Sequence, residues 1–117
     1  MYTENLLIDF HNLTSVNLPQ HTCISLQQYL LKGWDPGGFL SAVLMNDMML
    51  AVTRADPVNR KFLWDIGRWV YTQAPPGSWG SREMVLNWMN DLGGHRSKYA
   101  NTIEHEHLIH VLKRPEP

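Results

Sequence analysis

Residues 35–56, DPGGFLSAVLMNDMMLAVTRAD, constrain the fold more than any other part of the chain. A turn opens the stretch: Pro36 fixes one φ, and Gly37 and Gly38 accept backbone angles that other residues resist. An apolar run follows, interrupted in its middle by Asn46 and Asp47. Wound as a helix, Asn46, Asp47, Thr53 and Arg54 fall within an arc of about 120°, with Leu50 among them. Every other direction carries an apolar side chain: Leu40, Leu44, Met45, Met48, Met49, Ala51 or Val52. The pattern predicts one central helix whose only polar side is marked by the Asn–Asp pair. Such a helix must be covered on most of its circumference, so the chain should fold as a helical bundle.

The covering helices have their own signals. Ser25 is a suitable N-cap for LQQYLLK, and Gly33 stops that first helix. Asp56 and Pro57 start a third, with Asp at the cap and Pro at the first helical position. It should run to about Gln73, with Phe62, Leu63, Ile66, Trp69 and Val70 inward and Arg60, Lys61, Asp65, Arg68 and Thr72 outward. APPGSWGS reads as a stiff loop, after which Ser81 caps a fourth helix with Val85, Trp88, Met89 and Leu92 as its stripe. Gly93 and Gly94 end it. The termini differ. NLLIDFHNL alternates imperfectly, as a short strand or a docked arm, before Pro19 breaks the chain. TIEHEHLIHVL places Ile103, His105, His107, Ile109 and Val111 at strand spacing, though a helix with Leu108, Val111 and Leu112 inward fits too. A strand is the preferred reading, and KRPEP should fray. The expectation is an all-α fold, a compact bundle of about four helices with non-helical terminal extensions, up to two short strands among them. Residues 1–24 and 95–117 form those extensions around a helical domain at 25–94.

At 117 residues the chain holds one core. Ten Lys and Arg against eleven Asp and Glu give a net charge of −1, so no basic field recruits nucleic acid, and no nucleic-acid partner is expected. The single cysteine, Cys23, excludes an intramolecular disulfide and a multi-cysteine zinc site. No apolar run reaches the roughly 18 residues of a membrane helix, and the first residues lack the pattern of a signal peptide. A cytoplasmic protein is expected. No Gly-x-Ser-x-Gly, phosphate loop or Cys–His–Asn setting is present, so neither an enzyme nor a cofactor is expected.

Three groups of residues could carry function. His105, His107 and His110, with Glu104 and Glu106, lie within seven residues, and imidazole with carboxylate suits Zn, Ni or Fe. The spacing is not that of helical metalloproteases, and solvated histidines in a polar terminal segment are the preferred reading. Asp47, with Asn46 and Arg54, could hold a polar ligand or anchor a partner, or could be satisfied internally as buried polar groups are. Trp64 beside Arg60 and Arg68 has the composition of a protein-binding hot spot. Trp34, Trp79 and Trp88 should pack the core and its loops. Met45, Met48 and Met49 read as core, or else as a seam between copies in a homo-oligomer.

The segments LQQYLLKGWDPGGFLSAVLMNDMMLAVTRAD, then Asn59, LWDIGRWVY and PPGSWGSREMVLNWM resemble a family of small uncharacterised proteins of bacteriophages, prophages and related mobile elements. The resemblance covers a little over half the chain, from Leu26 to Trp88, and leaves out both termini. It implies no activity. It does imply an origin as a phage accessory gene acting on host machinery or a host defence. Together with the missing catalytic motifs it points to a non-enzymatic modulator that binds a bacterial host protein. A protein that sequesters a nucleotide-like signal through Trp stacking and Arg54 or Arg68 is the alternative. A metal-dependent enzyme built on the terminal histidines is the third.

Overall fold

The computed structural model describes residues 6–8, 10 and 18–112, of which 106–112 are described by their backbone alone. Among these the fold is all-α: α1 Gln20–Lys32, α2 Gly38–Leu44, α3 Met48–Arg54, α4 Pro57–Lys61, α5 Leu63–Gln73, α6 Arg82–Met89 and α7 His95–Leu112. A 3-10 turn, Leu92–Gly94, leads into α7. The expected count of about four helices is therefore too low. Two predicted helices are each broken in two, and the C-terminal segment adds another.

The predicted central helix is the first to divide. Met45 ends α2 and Asn46 takes the left-handed conformation, φ 63°. Asn46 N–H donates to the Val43 carbonyl at 3.0 Å and Asp47 N–H to that of Ala42 at 2.9 Å. This pair of bonds is a Schellman stop with Asn in the place glycine usually holds. Asp47 then caps α3, its Oδ1 accepting from Leu50 N–H at 3.1 Å. The polar pair thus marks a helix end and a helix start, not one side of a continuous helix. α2 and α3 fold back on each other as the most extensive helix pair among the described residues.

The centre of the fold is α1. Thr22, Cys23, Ile24, Leu26, Gln27, Tyr29 and Leu30 are all buried along it. It begins five residues before the predicted Ser25 cap, with Pro19 at the N-cap position, no side-chain cap, and Cys23 N–H on the Pro19 carbonyl at 3.0 Å as its first helical bond. Gly33 ends it as expected, at φ 72° with its N–H on the Tyr29 carbonyl. Asp56 starts α4 as expected, accepting from Asn59 N–H at 2.7 Å. Asn59 Oδ1 in turn accepts from buried Thr22 Oγ1 at 2.6 Å, which ties α4 to α1. The helix predicted from Pro57 to Gln73 is interrupted at Phe62, φ −108°, so it forms α4 and α5. Ile66, Trp69 and Val70 of α5 are buried.

The loop after α5 is stitched down from two sides. Tyr29 O–H donates to the Ser78 carbonyl at 2.7 Å, and Gly80 N–H to the Leu44 carbonyl at 2.8 Å. Ser81 then caps α6 through Met84 N–H. Val85 and Trp88 of α6 are buried, but the helix stops at Met89, a turn before Gly93. Leu92 consequently leaves the stripe predicted for it and is exposed.

Both termini depart from the strand reading. The described residues contain no strand. The C-terminal segment is helical through Leu112 because Tyr99 and Ile103, one turn apart, pack against the core, and α7 lies along α1. Ile8 and Phe10 are buried as a docked, non-helical arm: Gln27 Oε1 accepts from Leu7 N–H at 2.6 Å and Ile8 N–H at 3.2 Å. Phe10 packs on Trp69 with ring centroids 4.7 Å apart. Asp9, residues 11–17 and the KRPEP end lie outside the described residues.

Candidate functional site

The five residues singled out as a binding site occupy three places. Asn46 and Asp47 sit in the exposed α2–α3 turn, where the backbone bonds above already employ them. Arg54, at the end of α3, returns to the start of α2: a Cβ on Gly38 would lie 3.1 Å from Arg54 Nη1. The hairpin therefore carries Arg54 away from the Asn–Asp turn, and the shared face that a continuous helix would give them does not form. Gly38 is the residue that lets the guanidinium lie against the backbone.

Trp64 and Arg68 remain together on α5. Ile66, Trp69 and Val70 bury one side of that helix, which turns Trp64 to the opposite side, where it is 77% exposed. Tyr71 joins it at 74% exposure. With 100° per residue, Trp64, Arg68 and Tyr71 span an arc of about 60°. Tyr71 is the member the sequence reading missed, although its spacing of seven from Trp64 and three from Arg68 is the helical repeat that would have found it. Its ring leans edge-on against half-buried Trp79, 5.7 Å between centroids, so the stripe continues onto the following loop. Arg60 and Lys61, both exposed, end α4 one turn before Trp64.

Other assignments move in opposite directions. Met45 is half-buried against the core, but Met48 and Met49 are 75% and 74% exposed on α3, contrary to their expected core role. Of the apolar run 48–52, Ala51 is buried and Leu50 packs half-buried on the core, while Met48, Met49 and Val52 are exposed. Trp88 is buried and Trp79 packs on the core as expected; Trp34 is largely exposed, with Lys32 Nζ 4.7 Å from its ring. Cys23 is buried, and desolvation pushes its thiol up to about 11. At neutral pH it stays protonated and unreactive.

His105 is exposed on α7, and the side chains of His107 and His110 lie outside the described residues. Among the described residues no group of three His, Cys, Asp or Glu is placed to hold a metal ion. A groove of about 410 Å³ opens between the loop and the α6 end, lined by Met84, Asn87, Trp88, Leu92 and His95 among others. Neither Arg54 nor Arg68 contributes to it. No helix among the described residues is long and apolar enough to cross a membrane. The outward face of α5 thus displays an indole, a guanidinium and a phenol, from Trp64, Arg68 and Tyr71. No protein-family model, curated protein or solved structure matched the chain.

Proposed function

We propose that this chain is a non-enzymatic protein-binding module whose contact surface is the outward face of α5. One observation carries the reading: Trp64, Arg68 and Tyr71 share a narrow arc of a helix whose opposite side is buried. Trp, Arg and Tyr are the residue types that dominate binding hot spots. Aromatic rings held by a packed helix also lose little freedom on binding, which leaves more of their burial as affinity. The resemblance to phage and prophage proteins supports a bacterial host protein or defence component as the partner, met in the host cytoplasm, with this chain as its modulator.

The test is capture from a bacterial lysate by the wild-type protein and by Trp64→Ala/Tyr71→Ala. A stoichiometric protein partner should be retained by the first and lost by the second, while both give the same circular dichroism and melting temperature. Equal capture by the double variant would remove α5 as the surface. Release of a nucleotide from heat-denatured protein, with no protein captured, would favour the sequestering alternative.

A further inference from the structure

Resting on the reading of α5 as the contact face, we infer that this face takes an acidic segment of a partner protein, one in which carboxylates flank a large apolar anchor. Charge carries the inference. Between Asp56 and Gly80 the chain holds Arg60, Lys61 and Arg68 against Asp56 and Asp65, a local balance of +1 in a chain whose net charge is −1. All three cations are exposed, whereas Asp65 is half-buried and Asp56 Oδ1 is engaged by Asn59 N–H at the α4 cap. They bracket Trp64 in sequence, two of them a turn before it and Arg68 a turn after. Arg68 shares the Trp64 face, so an apolar anchor meeting the indole would bring a flanking residue against its guanidinium, with Arg60 and Lys61 exposed at the end of the preceding α4. Carboxylates there would be matched, and lysines or arginines repelled.

Other occupants fit less well. A second copy docking α5 on α5 about a two-fold axis would bring the Arg68 guanidinium groups toward each other, a like-charge contact. A nucleic-acid strand would find three cations locally and a negative chain overall, where strong strand binding draws on a broad basic groove.

Selection from a random 12-residue peptide library on the wild-type protein, with Trp64→Ala as counter-selection, tests the partner chemistry. Trp64 and Arg68 are exposed, so neither replacement endangers the fold. Enriched peptides should carry several Asp or Glu around one or two large apolar residues. Their binding should weaken at least tenfold in Trp64→Ala and in Arg68→Glu. Peptides with Lys in place of their acidic residues should recover affinity for Arg68→Glu, a rescue that loss of a structural role would not give. Enriched peptides that depend on Trp64 but carry no acidic surplus would overturn the acidic partner and leave the protein-binding reading standing. Absence of any Trp64-dependent peptide would overturn both. Tighter, Trp64-dependent binding of a 12-nucleotide oligo-dT would overturn the inference in favour of a nucleic-acid strand, and a dimer in sedimentation that dissociates on Trp64→Ala would do so in favour of a second copy.

Discussion

Asn46 occupies a backbone conformation that costs an ordinary side chain about 1–2 kcal/mol and glycine nothing. Asn46→Gly should therefore leave the melting temperature unchanged or raise it, and Asn46→Val should lower stability by about 1–2 kcal/mol in urea unfolding. Asp47→Ala should cost about 1 kcal/mol, while Asp47→Asn should cost little, since Asn caps a helix as well as Asp. Asp91 acts at a distance of six residues: Ser97 donates both its N–H, at 3.0 Å, and its hydroxyl to the carboxylate. Those hydrogen bonds hold the Asp91 pKa below its ordinary 3.8. A depressed carboxylate stabilises the fold above its unfolded pKa, and this contribution is lost as pH falls through the folded value. Asp91→Asn should lower the melting temperature at pH 6, and the gap to wild type should narrow as the pH is lowered below the ordinary value. A gap that holds constant down to pH 2 would show that the carboxylate is not what matters.

Among elements, one side chain ties α1, α6 and α7 together. Arg96 Nε donates to the Trp88 carbonyl at 3.1 Å and Nη1 to the Leu31 carbonyl at 3.3 Å. A single guanidinium thus caps the negative ends of two helices while belonging to the first turn of a third. Gly33 is what admits it: a Cβ there would lie 2.7 Å from Arg96 Nε and 2.8 Å from the Met89 carbonyl, at a φ that already favours glycine. Arg96→Met keeps most of the stem and removes both bonds, so it should cost about 2–3 kcal/mol at an unchanged denaturant slope. The boundaries at this scale were legible where a side chain caps locally. Asp56 and Ser81 were read correctly for that reason, and Gly33 because its positive φ suits glycine. The start of α1 was not, because Pro19 stands at its N-cap position without a side-chain hydrogen bond to mark it. Asn46 and Asp47 were seen but misread: a polar pair reads as a helix face if the helix continues and as punctuation if it stops.

At the scale of the whole molecule, the N-terminal arm and α7 contribute to the core around α1. Phe10 is 1% exposed against Trp69, so Phe10→Ala should cost about 3–5 kcal/mol, as large aromatic truncations do, and should show as a lowered urea midpoint. Leu44, fully buried, should not tolerate Asp at all: the charge would be buried unpaired, and the variant should be insoluble or unfolded. The outward α5 residues lie at the other extreme of burial. By itself the sequence determined that this chain is helical, where several helices begin and end, and that Trp64 with its neighbouring arginines is a contact candidate. Caps, turns and amphipathic spacing act across a few residues, so they can be read from the residues alone. Only the tertiary structure decided that α1 is central, that Arg54 leaves the Asn–Asp turn, that Met48 and Met49 face out, and that the C-terminal segment is a helix. The central place of α1 and the docking of α7 draw on Gln27 meeting Leu7, Tyr29 meeting Ser78 and Arg96 meeting Leu31. Each pair is separated by twenty residues or more, a distance over which no local periodicity carries information.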